Sequence, residues 1–121
     1  MGDKPLPDIR KIEAFLRELR VKMRVFDVAF RPRDKNLATL LELDLTPNQR
    51  LEILRALTVE DCFSGPNEDE HQPGRPDYFE FGLMVKGRVV YVKLSLGLPG
   101  KMVDCMSFHI AEFPIQYPFK S

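Results

Sequence analysis

Net charge is what this chain most plainly lacks: 18 Lys and Arg are balanced by 18 Asp and Glu among 121 residues. A neutral chain has no long-range field to draw in nucleic acid, so any such contact must be made by a local patch. Cysteine is scarce as well. Cys62 and Cys105 are the only two; they fit no metal-binding or redox spacing, and a reduced cytosolic setting is the expectation. No signal-peptide-like apolar run opens the chain and none approaches a membrane span, so a soluble, cytoplasmic protein is expected. Internal repeats, a glycine-rich nucleotide-binding motif, a nucleophile elbow and a metal-binding helix are all missing.

What is present is a core. With 44% hydrophobic residues, the chain reads as one domain over residues 1–121. Residues 77–110 carry its clearest pattern. Phe79, Phe81, Leu83 and Val85 alternate with Tyr78, Glu80, Gly82 and Met84. Beyond Lys86-Gly87, Val90, Val92, Leu94 and Leu96 alternate with Tyr91, Lys93 and Ser95. Beyond Gly97-Leu98-Pro99-Gly100, Met106, Phe108 and Ile110 alternate with Cys105, Ser107 and His109. A period of two predicts three antiparallel strands with an apolar face and a polar one. A two-residue hairpin at Lys86-Gly87 pairs Val85 with Arg88, Gly82 with Tyr91 and Glu80 with Lys93. The second hairpin is expected to set Tyr91 near Ser107, with His109 diagonal to it. Gly82 would leave room there for a ligand.

Helices precede these strands. Asp8 can cap a helix over 8–20 in which Ile9, Ile12, Phe15, Leu16 and Leu19 form the buried stripe, with Lys11, Arg17 and Arg20 as a solvated face. Residues 25–30 read as a short strand, ended by Pro32. Asp34 can cap a helix carrying Leu37, Leu40 and Leu41. Thr46-Pro47-Asn48-Gln49 is a capping box with proline at the first helical position, followed by a stripe of Leu51, Ile53, Leu54 and Leu57. Residues 58–63 are expected to form one further turn. Residues 64–77 read as an exposed loop of Gly, Pro and acids, whose acids and His71 lack the spacing of a metal site. Residues 113–121 read as an extended tail covering a sheet edge or docking a partner. The expected fold class is α+β, an antiparallel sheet with helices packed on one face. The place of the first strand is left open.

The polar sheet face is the constellation with a plausible mechanism. Histidine passes protons near neutrality, lysine neutralises phosphate, and tyrosine stacks on a base or donates to a phosphoryl oxygen. His109, Tyr91 and Lys93 are therefore the candidate catalytic residues, and Glu80, Ser107 and Arg88 the candidates for holding substrate. Together they suit metal-free RNA cleavage by attack of the ribose 2′-OH on the adjacent phosphate. No metal and no cofactor is expected. Each residue also has an ordinary role, as a surface histidine or a cross-strand pair, and Cys105 reads as a small filler rather than a nucleophile. Pattern alone reaches a small soluble α+β domain.

Several segments resemble the MqsR-type toxins of bacterial toxin–antitoxin pairs. They are the run Phe15 to Leu19, Lys35-Asn36-Leu37-Ala38-Thr39-Leu40, Leu45-Thr46 with Ile53-Leu54 and Leu57, and Asp61-Cys62-Phe63-Ser64-Gly65-Pro66. Val90-Tyr91-Val92-Lys93-Leu94 and Cys105-Met106-Ser107-Phe108-His109 complete the set, which spans about Ile9 to Glu112. The resemblance implies a RelE/ParE-like toxin fold, a metal-independent endoribonuclease that cuts messenger RNA, and silencing by a cognate antitoxin encoded by a neighbouring gene. The family's tyrosine matches Tyr91. Its lysine after Ser-Phe falls on His109, a further lysine falls on Ser64, and its glutamine maps onto Tyr78 or Glu80. The alternative from another class is a non-catalytic domain that binds a partner protein through its open sheet face and tail.

Overall fold

The computed structural model describes residues 6–120; residues 1–5 and Ser121, the last residue of the expected tail, lie outside them. Helix α1 (Ile9–Met23) leads into strand β1 (Val28–Phe30), then helices α2 (Asp34–Glu42) and α3 (Pro47–Arg55) and a 3-10 turn (Val59–Asp61). Strands β2 (Cys62–Asn67), β3 (Tyr78–Val85), β4 (Arg88–Ser95) and β5 (Val103–Ile110) follow. They form one five-stranded sheet in the order β1-β5-β4-β3-β2. The α+β class is as expected, but the sheet is mixed, because β1 runs parallel to β5 at the edge.

Local chemistry accounts for the helix starts. Asp8 accepts from the Arg10 N–H at 2.9 Å. Thr46 and Gln49 close a reciprocal capping box at 2.8 and 3.1 Å, satisfying N–H groups that the first helical turn cannot. α1 extends one turn past the expected 8–20, because Met23 continues the buried series Ile12, Phe15, Leu16 and Leu19, whereas Ile9 stays outside. Phe15 stacks on Phe79 with ring centroids 4.3 Å apart. Arg20 is exposed as expected, and its guanidinium also donates to the carbonyls of Arg55 and Leu57, closing the end of α3.

The β3–β4 hairpin has the expected register, Val85 opposite Arg88, Gly82 opposite Tyr91 and Glu80 opposite Lys93. Lys86 and Gly87 both take positive φ, 50° and 83°, the primed turn that suits the twist of two-residue hairpins. The β4–β5 register differs from expectation. Tyr91 faces His109 directly and Lys93 faces Ser107, with an irregularity between Lys93 and Leu94. Met106 is the extra residue of that bulge, so the alternation inverts there. Val103 and Cys105 enter the core beside Phe108, while Met106 is buried outside it. Cys105 therefore leaves the polar set to which simple alternation assigned it.

Two further expectations fail for reasons of composition. Residues 62–67 form an edge strand instead of a turn and a loop; edge position tolerates Pro66 and two register shifts. In α2 the buried residues are Asn36 and Thr39, with Leu37 and Leu41 exposed. β1 is only three residues long, and beyond it the edge of β5 would be bare. Asn36 Oδ1 accepts from the Phe108 N–H at 3.0 Å and Thr39 Oγ1 from the Ile110 N–H at 2.9 Å. Helix α2 thus completes the edge with side chains where a strand would use backbone.

Candidate active site

The sheet has a helix-covered face and a second face whose side chains form rows across the strands. Gly82, Tyr91 and His109 make one row; Ser64, Glu80, Lys93 and Ser107 the next; Asn67, Tyr78, Ser95 and Asp104 the third. Rows stand two residues apart, about 6.7 Å along a strand.

Tyr91 is the centre of the face. Its hydroxyl donates to Glu80 Oε2 at 2.6 Å, and Asn67 on β2 donates to the other oxygen of Glu80 at 3.4 Å. The ring lies 5.2 Å from that of His109 and 6.0 Å from that of Phe63, centroid to centroid. Burial first, and then the Glu80 carboxylate, push the phenol far above its usual range, so Tyr91 keeps its proton at any working pH. His109 Nδ1 lies 2.9 Å from the Ile110 carbonyl. A carbonyl only accepts, so in the neutral ring Nδ1 holds the proton and Nε2 is the nitrogen that can take another.

Phe63, Glu80, Tyr91 and His109 line one side of a cavity of about 580 Å³, and residues 111–116 of the tail line the other. The tail turns back from β5 over the polar face. A Cβ on Gly82 would run into the Ile115 side chain and the Tyr117 hydroxyl. The space at Gly82 is therefore occupied by the chain itself and not kept for a ligand. Phe119 then packs against the core cluster.

Of the expected site residues, His109, Tyr91 and Glu80 come together. Lys93 stands one row away with its ammonium 4.1 Å from the Tyr78 ring centroid, and Ser107 is buried opposite it. Arg88 falls out of the site. It shares strand parity with Val90 and Val92, so it points to the helix side, where it pairs with Glu42 at 2.9 Å. Beyond Lys93, Arg31 grips Asp104 through two bonds of 2.7 and 3.2 Å, and Arg75 meets the same carboxylate at 3.5 Å. Asp69 acts on Arg31 as well, so the two guanidiniums are balanced by carboxylates and Lys93 is the cation within the sheet nearest the Tyr91 row. Phe63, Asn67, Arg31, Arg75 and the tail were missed as site residues. The one local signal was Cys62-Phe63-Ser64, an alternation cut short by Gly65-Pro66.

Among the described residues no three His, Cys, Asp or Glu side chains converge in a way that could hold a metal ion, and no helix is long and apolar enough to cross a membrane. Compared with models of protein families, with curated proteins and with solved structures, the chain matches none.

Proposed function

We propose that this protein is a metal-independent endoribonuclease toxin of the MqsR type, with a RelE-like fold, cutting messenger RNA in the cytoplasm and silenced by a cognate antitoxin. The observation that carries the reading is the apposition of Tyr91 and His109 across β4 and β5, over a cavity, with Glu80 on the tyrosine hydroxyl. In this reading Nε2 of His109 takes the proton of the 2′-OH as its oxygen bonds to phosphorus. On substrate binding Tyr91 turns its single O–H from Glu80 to a phosphoryl oxygen, and Lys93, one row away, adds positive charge to the crowded phosphorane. The imidazolium of His109 then protonates the departing 5′ oxygen, leaving a 2′,3′-cyclic phosphate. No step needs a metal.

Incubating the purified chain with naked RNA, with and without EDTA, tests the proposal. The expected outcome is cleavage that survives the chelator and leaves cyclic or 3′-phosphate ends. Activity abolished by EDTA and restored by magnesium overturns the mechanism. A parent chain that does not cut, with or without metal, overturns the enzyme reading and leaves a partner-binding domain.

A further inference from the structure

The turn between β1 and α2 overlooks the polar face from the outer edge of β5. Arg31 opens it, donating its N–H to the Cys105 carbonyl at 3.2 Å, and Asn36 closes it on the Phe108 N–H. Residues 31–36 thus run beside the part of β5 that carries Ser107. Alternate side chains of this turn reach over onto the polar face. Arg31 goes to Asp104, in the third row, at 2.7 Å. Lys35 goes to Glu112, past the His109 row, at 2.7 Å. Arg33 stands between the two, level with the rows of Ser107 and His109. Its side chain is exposed and takes no part in capping α2. Its charge is felt at the Tyr91 phenol, where it opposes the upward push of burial and of Glu80. Among the described residues no carboxylate pairs with Arg33, whereas Arg31, Arg75 and Lys35 are each held by one.

We propose that Arg33 is a further catalytic residue, its guanidinium taking the two non-bridging oxygens of the reacting phosphate from the β5 edge while Tyr91 and Lys93 meet it from β4. The inference rests on the ribonuclease reading and supplies a cation on the His109 side of the site. A guanidinium is a planar fork whose parallel N–H groups match two phosphoryl oxygens at once. As the 2′ oxygen bonds to phosphorus, the single negative charge of the phosphodiester becomes two on the phosphorane. The paired bonds from Arg33 therefore strengthen in the transition state more than in the ground state. Arg33 neither gains nor loses a proton, because a guanidinium stays charged at any working pH. Proton traffic stays with His109. Lys93 cannot stand in for it, since an ammonium is a point charge and this one lies over the Tyr78 ring, 4.1 Å from its centroid.

Single-turnover cleavage of naked RNA by the full chain, Arg33→Ala, Arg33→Lys and Arg24→Ala tests this. Arg24 is exposed at the end of α1, on the helix-covered side, and controls for the lost charge. Arg33→Ala should cut about 10²–10³-fold more slowly, as when one donor to a developing oxyanion is removed, and Arg24→Ala at the parent's rate. Arg33→Lys should recover only part of the rate, because an ammonium does not make the paired bonds. The pH optimum should stay that of the parent throughout. Binding is read on a 2′-O-methyl oligoribonucleotide, which has no 2′-OH to attack. Arg33→Ala should lower its slope of log K against log salt by about one, and Arg33→Lys should keep it. The fold should survive each change, since the turn is held by the backbone of Arg33 and the side chain of Asn36. Arg33→Ala cutting at the parent's rate, full recovery by Arg33→Lys, or an equal loss in Arg24→Ala overturns the assignment and spares the ribonuclease reading. A parent that binds the oligonucleotide through Arg33 yet cuts no RNA does the reverse.

Discussion

The proposed proton chemistry turns on one ring. His109 has its Nδ1 committed to the Ile110 carbonyl, which leaves Nε2 as the nitrogen that can take a proton. Replacing His109 by Ala should lower the cleavage rate by about 10²–10⁴-fold, the usual worth of a general acid–base group, with the melting temperature little changed because the ring packs on the polar face. His109→Lys should retain partial activity with an optimum at higher pH, since an ordinary lysine titrates at about 10.4. An Ala variant that cuts as well as the parent removes His109 from the mechanism. The two thiols make a second prediction at this scale. Burial pushes Cys62 up to about 12, and pushes Cys105 up more strongly still. Each folded thiol thus holds its proton more tightly than the unfolded one. The stability they contribute is fully present below the ordinary thiol value of 9.0 and is lost as pH rises through the folded values. The melting temperature should therefore fall between pH 9 and 12, the ordinary and raised values for Cys62, and neither thiol should react with a thiol reagent until the chain unfolds. A flat profile across that range, or rapid labelling of the native protein, contradicts the burial.

Helix α2 is the element whose role differs most from its apolar pattern. Beside the half-buried Leu40, which packs on the core, two polar side chains dock it. Asn36 bridges the Arg31 carbonyl, at 2.8 Å, and the Phe108 N–H, at 3.0 Å; Thr39 bridges the Lys35 carbonyl and the Ile110 N–H at 3.0 and 2.9 Å. Asn36→Ala should destabilise the fold by about 1–3 kcal/mol for each backbone group it leaves without a partner. Thr39→Val, which keeps the shape and loses the acceptor, should cost about 1–3 kcal/mol. Leu37→Ala and Leu41→Ala, both at exposed positions, should each change stability by less than about 0.5 kcal/mol. Denaturant titrations of the four variants check the ordering; a reversed order would mean that α2 docks on its leucines. Because Phe108 and Ile110 flank His109, the same two bonds also hold the His109 ring in register, so under the proposed mechanism Asn36→Ala should reduce cleavage beyond its effect on stability.

Across the whole molecule, the tail links the site to the core. It leaves β5, walls the cavity, seats Ile115 and Tyr117 at Gly82, and ends with Phe119 against the core cluster. Gly82→Val places a branched side chain in that seat without opposing the strand. The expected result is a folded sheet with a displaced tail, read as new chymotryptic cleavage at Tyr117 and weaker RNA cleavage. Resistance equal to the parent's would show that the seat does not hold the tail. The neutral chain also makes salt dependence informative. RNA affinity should fall with salt through the local cluster alone, and Lys93→Ala should reduce the slope of log K against log salt by about one.

The sequence by itself determined the elements whose cause is local. Alternation over Tyr78–Val85 and Arg88–Ser95, the Lys86-Gly87 turn with its register, and the capping box at Thr46 depend on neighbours in the chain, and each formed as read. So did the division of the sheet into an apolar and a polar face, which brings Tyr91, Glu80 and His109 to one side. What only the tertiary structure decided depends on partners distant in sequence. The bulge at Met106, which turns Cys105 inward and slides His109 opposite Tyr91, reconciles β4 with a strand whose other edge is held by β1 and α2. The burial of Asn36 in place of Leu37 follows from bare N–H groups on β5, which no pattern within α2 can reveal. Edge strand β2 and the folded tail carry no strong period of their own. They take shape because the sheet offers Phe63 an aromatic neighbour in Tyr91 and offers Ile115 and Tyr117 a position, Gly82, without a side chain.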